Sequence, residues 1–245
     1  ASNNVNQIFL LAYDATLPQI AGCSMLFIDT LESSATLRQM ALVAKSDYVA
    51  IYGKFLPIKV GYGAIDRVLK IAETMDAGML YSDHYAMKDG VLTKAPVIAY
   101  QKGSVRNDFD FGSLRFVRTD YLQNCADLYA QNQWKAAAMY ELTLYISRQI
   151  TPIYYINEYL YTEDETDLRK SGDKQFDYVD PRNREVQIEM EQVCTEHLKQ
   201  INAFVAPEEV TDLAVGGGSF PAEASVIIPV KNRAKTVEDA IMSAM

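Results

Sequence analysis

The chain has 245 residues, with 23 Lys and Arg against 32 Asp and Glu and a formal net charge of −9. At roughly 100–200 residues per domain this length suits one large domain, or one domain and a further piece, and a hydrophobic content of 49% excludes disorder throughout. An acidic chain with no sustained Lys/Arg stripe is a poor match for phosphate-backbone contacts, so no nucleic-acid partner is expected.

The charge is unevenly spread. Residues 157–212 hold 15 acidic and 6 basic side chains, and the remainder of the chain is balanced. The acidic segment is therefore expected to form a distinct unit. Cys23, Cys125 and Cys194 lie far apart, and with His84 and His197 they offer none of the spacings of a structural zinc site. An odd, sparse cysteine count fits a reducing compartment. No apolar run reaches the ~18 residues of a membrane span, and the polar start lacks the basic and apolar regions of a signal peptide. The expected location is cytoplasmic.

In chain order, Ile8–Ala12 and Ser24–Ile28 are short apolar runs of buried-strand length. Ser33–Lys45 reads as a helix capped by Ser33 or Ser34, with Leu37, Ala41 and Ala44 along one face. Asp47–Tyr52 is a strand again. Gly53–Gly63, with Pro57 and three glycines, is expected to be a loop. A helix over Tyr62–Met75 follows from the stripe Ile65, Val68, Leu69, Ala72. Met79–Ser82 is a strand, and His84–Gln101 reads as a hairpin turning at Asp89-Gly90. Ser113–Val117 is a strand, Trp134–Gln149 a helix and Pro152–Ile156 a final short strand. The alternation argues for an α/β fold with a mostly parallel sheet flanked by helices, whose ligands would sit beyond the carboxyl ends of the strands. Past this, Thr162–Arg184 is charged and rich in turn residues. A helix is expected over Arg184–Ala203, with Val186, Met190, Val193, His197 and Ile201 on one stripe. Gly216–Ser219 reads as a linker, Ala224–Val230 as a further buried strand, and Thr236 as the cap of a last helix.

The segment Ser225–Met245, SVIIPVKNRAKTVEDAIMSAM, closely resembles the opening of family 2 glycosyltransferases, which have the GT-A nucleotide-diphospho-sugar transferase fold. In that family the first strand ends in a Pro-x-x-Asn turn and leads into a helix carrying an acidic residue and Ala-Ile-x-Ser. The resemblance implies that Pro229, Val230, Lys231 and Asn232 line the nucleotide site of a second GT-A domain, whose metal motif and base would follow Met245. The main body is similar to the same family in a weakened form. DYVAIY (Asp47–Tyr52) matches a strand that in the family ends in Asp-x-Asp, whose carboxylates hold Mg²⁺ or Mn²⁺ against the sugar-nucleotide diphosphate. Here Gly53-Lys54-Phe55 takes that place, so no metal ligand is expected. AGMLYSD (Ala77–Asp83) and Ser113–Arg118 match later strands. AMYELTLYIS (Ala138–Ser147) is similar to the family helix that carries a Glu-Asp pair with the general base, and Ala138 and Met139 occupy the pair.

The resemblance thus implies a catalytically degenerate GT-A-like domain over residues 1–160, an acidic helical connector and linker over 161–222, and the start of a second GT-A domain over 223–245. For the full-length protein it implies sugar transfer from a nucleotide-sugar donor to a carbohydrate or lipid-linked acceptor, with a divalent cation supplied outside this chain and an intramolecular partner domain after Met245. The alternative is a non-catalytic acceptor-binding or scaffold domain of the same fold. Glu141 is a candidate base one helical turn from the missing pair, against the reading of a glutamate beside a core stripe. Asp83 and His84 at a strand end, and Asp110 two residues after Asp108, are candidate ligand-loop residues, each weighed against a plain turn or loop role. His197, on the apolar stripe, reads as a packed histidine.

Overall fold

The computed structural model describes residues 4–14, 16, 18–164, 184–210 and 224–245. They fall into two compact units, residues 1–204 and 205–245.

In the first unit β1 (Ile8–Ala12) and β2 (Cys23–Phe27) pair in parallel as a two-stranded sheet. Helix α1 (Ser34–Val43) starts where expected. The Ser33 hydroxyl accepts the Thr36 N–H at 3.1 Å, satisfying one of the donors a helix start leaves open. A six-stranded sheet is built from β3 (Tyr48–Tyr52), β4 (Ile58–Val60), β5 (Met79–Lys88), β6 (Val91–Ala95), β7 (Leu114–Arg118) and β8 (Ile153–Asp164). Its order is β3-β7-β5-β8-β4, with β6 paired to the end of β5 beyond the reach of β7.

The sheet is mixed. Only β5 and β8 run parallel, and the other four pairings are antiparallel, so the coarse α/β class holds while the expectation of a mostly parallel sheet does not. β7 runs antiparallel to both of its neighbours, β3 and β5, and two further local features differ from the expectation. Met79–Ser82 and the first arm of the hairpin are one ten-residue strand, and β8 extends to Asp164 instead of ending at Ile156. Part of the segment expected to be a loop, Gly53–Gly63, is drawn into the sheet as β4 by that extended β8, on whose Leu160 carbonyl the Gly61 N–H also rests at 2.9 Å. β8 therefore runs across residue 160, where the first domain was expected to end.

Alternation along the strands sends side chains to two helical layers. Met79, Tyr81 and Val117 pack with Leu37 and Met40 of α1, Leu122 and Cys125 of α3 (Thr119–Leu128), and Leu142 and Ile146 of α4 (Ala138–Ser147). Leu80, Leu114 and Phe116 pack on the opposite face against Val68 and Ala72 of α2 (Ala64–Met75). Helix α3 had no counterpart in the sequence expectations. The turn from α2 into β5 is crowded: a Cβ on Gly78 would lie 2.8 Å from both Thr151 and Tyr121, so only glycine fits this close approach.

Helix α5 (Arg184–Gln200) belongs to the first unit. Met190, Val193 and Cys194 pack on Ala137, Tyr140 and Leu144, which explains why α4 is apolar nearly all round: one side meets the sheet layer and the other meets α5. His197 is buried, with its Nδ1 2.8 Å from an Arg148 guanidinium nitrogen. Val186 and Ile201, at the ends of the predicted stripe, stay partly exposed.

The second unit contains a short 3-10 turn at Pro207–Glu209 and α6 (Val237–Ala244), which begins after Thr236 as expected, though the Thr236 side chain makes no capping bond. Ala224–Val230 is not a strand. It has no regular structure, and its valines and Ile227 are exposed, because no neighbouring strand pairs with it among the described residues. The predicted turn Ser171-Gly172-Asp173 and the Gly216–Ser219 linker lie outside the described residues. No described helix is long and apolar enough to cross a membrane.

Candidate functional site

A cleft of about 330 Å³ opens in the first unit at the carboxyl end of β3. Ile51, Gly53 and Lys54 form one wall, Leu31 and Glu32 after β2 a second, Arg106, Asn107, Phe109 and residues 111–113 with Arg115 a third, and Ala136, Met139, Tyr140 and Thr143 at the start of α4 a fourth. Met190 of α5 completes the lining. The volume is at the lower end of the roughly 300–1,000 Å³ of small-molecule sites. Gly53-Lys54 and Met139, 85 residues apart in the chain, therefore meet at one cavity.

Each wall is held by bonds made outside regular structure. The Gly53 N–H donates to the Ser113 carbonyl at 2.9 Å, closing the end of the β3–β7 ladder. The Ala138 N–H donates to the Glu32 carbonyl at 2.9 Å, and Ser34 and Trp134 exchange two bonds, tying the start of α4 to the start of α1. Helix α4 has no capping side chain of its own. Its approach is served instead by Glu189 of α5, whose carboxylate accepts the Lys135 N–H at 3.0 Å and the Ala136 N–H at 2.8 Å. A negative group there also suits the helix dipole, which gives one acidic residue of α5 a structural reason.

The long loop of residues 96–112 is fixed by tyrosines. The Tyr140 hydroxyl donates to the Val105 carbonyl, and the Tyr81 hydroxyl donates to the Ile98 carbonyl at 2.7 Å while accepting the Tyr100 N–H at 2.6 Å. Phe109 and Phe111 pack tilted against each other and edge-on or tilted against Tyr81 and Tyr100. Backbone groups in an irregular segment need partners as much as those in a sheet, and here side-chain hydroxyls supply them.

Three cations border the cleft. Arg106 is on the rim and paired with Asp108 at 2.9 Å. Lys54 forms an ion pair with Glu163 of β8, which lies beneath the wall and is only 3% exposed. The same carboxylate oxygen lies 3.2 Å from His84 Nε2. Burial works to raise the Glu163 pKa, but the hydrogen bonds from His84 and Lys54 outweigh it and hold the carboxyl down at about 2. Arg115 is different. It shares the core face of β7 with Val117, lies 5.2 Å from the centroid of Phe111, and has no ion-pair partner among the described residues. Burial pulls its pKa below the ordinary arginine value, with Asp110 and Glu32 acting in the other direction, yet a guanidinium stays charged.

The residues singled out from the sequence are distributed as follows. Asp83 and His84 are neither at a strand end nor partly exposed. Both are buried inside β5, where the β5–β8 register shifts. Asp83 accepts the Val97 N–H at 2.8 Å and the Tyr155 hydroxyl at 2.7 Å, anchoring the long loop. His84 stacks on Tyr161 with centroids 5.0 Å apart and faces Glu163, so it supports the Lys54 wall from behind. Asp110 accepts the Gly112 N–H at 2.8 Å and shapes the turn into β7. Glu141 is buried, not a surface residue, and is not part of the cleft lining. Its Oε1 accepts Trp134 Nε1 at 2.9 Å and Asn132 Nδ2 at 2.6 Å, and burial raises its pKa despite these donors. Pro229, Val230, Lys231 and Asn232 lie in the second unit, exposed and not at the end of any strand.

Arg115 and the aromatic pair Phe109 and Phe111 were not singled out from the sequence. The readable signal was the pattern Leu114-Arg115-Phe116-Val117, in which a cation occupies a position alternating onto the core face. As for a divalent cation, Gly53-Lys54-Phe55 offers no carboxylate, and the nearest one beneath the wall, Glu163, is engaged by an ammonium and an imidazole. A cleft bordered by Lys54, Arg106 and Arg115 with one lining carboxylate, Glu32, does not fit such an ion. The sequence matches no protein-family model and no curated protein.

Proposed function

We propose that residues 1–204 are a GT-A-like domain of a family 2 glycosyltransferase that has lost transfer chemistry and serves as an auxiliary module. In this reading, sugar transfer from a nucleotide-sugar donor to a carbohydrate or lipid-linked acceptor, and the divalent metal it uses, belong to a second domain whose opening is the segment Ser225–Met245. One observation carries the reading. The two places where the family keeps its metal motif and its base converge on a single cleft, and both have lost the required side chains: Gly53-Lys54 replaces carboxylates, and Met139 replaces the acid. A cavity kept open after its chemistry has gone is what a binding module descended from an enzyme would retain. The antiparallel weighting of the sheet neither carries this reading nor is needed for it.

The chain alone, incubated with a panel of nucleotide sugars, Mn²⁺ and mixed saccharide acceptors, is expected to release no nucleotide and form no glycoside. Metal-dependent turnover that disappears with Lys54→Ala or Met139→Ala would overturn the auxiliary reading. The competing possibility, an acceptor-binding scaffold, is favoured by the half-buried ring of Phe109 beside the polar groups of the cleft. Binding of neutral oligosaccharides without any binding of nucleotide sugar would select it.

A further inference from the structure

We infer that the cleft is a metal-independent receptor for a small anionic sugar, one bearing a phosphate or a carboxylate, and that Arg115 is the residue that holds the anionic group. The inference deepens the auxiliary reading of the same cleft, but its argument rests on the cleft alone.

Arg115 sits partly buried on the core face of β7, a place where a charge is expensive unless it is compensated. Lys54 has Glu163 and Arg106 has Asp108, whereas among the described residues Arg115 has the face of Phe111 and no ion-pair partner, with Asp110, Glu32 and Tyr161 acting through space. Glu32 itself is engaged by the Thr30 hydroxyl at 2.6 Å. The guanidinium therefore brings unpaired N–H donors, among the described residues, to a cavity it lines. A planar fork of N–H groups matches a phosphate or carboxylate in a bidentate way, while the flanking ammonium and second guanidinium are already offset by Glu163 and Asp108. The remaining lining suits the rest of such a ligand. Phe109, half-buried, provides flat apolar surface for the face of a sugar ring, with Phe111 and Tyr140 buried beside it in the lining, and Asn107 provides polar groups for hydroxyls. The cleft holds one ring-sized unit and not a long chain.

The local chemistry also explains why no metal is needed. Where the family's carboxylates would position a cation to meet anionic oxygens, Arg115 presents fixed positive charge to the same space.

The test is titration calorimetry of the whole chain in EDTA with glucose 1-phosphate, glucuronate, inorganic phosphate and neutral glucose. Binding of glucose 1-phosphate or glucuronate, without comparable binding of glucose, is expected. The stronger of the two identifies the anionic group as phosphate or carboxylate. Binding of inorganic phosphate as tight as that of the sugar phosphate would refute the role of the ring-stacking surface. Arg115→Lys keeps the charge but loses the fork, and should weaken binding at least about tenfold. Met139→Glu leaves Arg115 in place and introduces a carboxylate into the lining, and should weaken binding similarly. Thermal melting of both variants separates lost affinity from lost fold, and because Met139→Glu acts from another element, failure of one variant to fold leaves the other decisive. Absence of binding by every anion, binding that appears only with Mn²⁺, or unchanged affinity in a folded Arg115→Lys chain would each overturn the inference. Metal-dependent sugar transfer alongside Arg115-dependent anion binding would sink the auxiliary reading and leave this one standing.

Discussion

Glu163→Gln changes one carboxylate into an amide of nearly the same shape, in a place where only charge should matter. Glu163 is 3% exposed and meets both Lys54 and His84. Its carboxyl is held at about 2 where an ordinary glutamate sits at 4.5, and that difference corresponds to about 3 kcal/mol of stability at neutral pH. Because the folded value lies below the unfolded one, the contribution is complete above about 4.5 and is lost as the pH falls through 4.5 toward 2. Less than half should remain at about pH 3. Urea unfolding followed by circular dichroism, with wild type and variant compared at steps from neutral pH downward, measures this directly. The variant should be less stable by about 3 kcal/mol at pH 7, and the gap should close steadily in acid. A gap of constant size down to about pH 3, or none at pH 7, would show that the carboxylate is not held as an ion by its two partners.

Three further outcomes follow from the packing. Gly112→Ala should lower stability by about 2 kcal/mol or more in thermal melts, because φ is +69° and the added Cβ would lie 2.5 Å from the Tyr161 hydroxyl; an unchanged melting temperature would mean that Tyr161 moves freely. Glu141→Ala should cost about 2–4 kcal/mol by leaving the Trp134 and Asn132 donors unmet, with Glu141→Gln milder and anion binding by the folded variants unaltered; loss of binding at full stability would restore Glu141 to the site. Cys125 is fully buried and burial pushes its thiol far upward, so iodoacetamide at mildly alkaline pH should label Cys23 and Cys194 in the native chain and reach Cys125 only in denaturant, as read by mass spectrometry of peptides.

The elements that periodicity and capping specify were legible in the sequence. Ser33 announces α1, the Ile65–Ala72 stripe announces α2, and Asp89-Gly90 announces the β5–β6 turn, where both residues have positive φ. Strand direction was not legible, because a short apolar run carries no record of which neighbour it will pair with or in which sense. The length of β5 and β8 was hidden for a related reason. Asp83, His84 and Glu163 look like loop residues, and they are tolerated inside strands because Val97, Tyr155 and Lys54, all distant in sequence, meet their polar atoms. Helix α3 was missed because Thr119–Leu128 mixes polar residues with only a few apolar ones, of which Leu122 and Cys125 are fully buried. At the cleft, family resemblance marked Gly53-Lys54 and Ala138-Met139, which do meet there through Met139. It drew attention to what those positions lack, so the arginine opposite them went unnoticed. Ala224–Val230 had a strand-like composition but no partner to pair with among the described residues, and composition alone does not make a strand.

The pairing of β5 with β8 also governs when this sheet can come into being. Met79 lies beside Ile153 and His84 beside Tyr161, so the centre of the sheet joins stretches made far apart in time. At about 5–20 residues per second of synthesis, β5 waits several seconds on the ribosome with one edge open. Its other edge is covered sooner, first by the local β6 hairpin and then by β7. β8 must then arrive alongside and bring Glu163 under Lys54 before the cleft has a floor. Such a topology folds slowly for its size, since loop-closure entropy is spent before the long-range contacts return it. Nascent chains ending before Asp164 should therefore stay open to protease, and protection should set in as β8 clears the exit tunnel.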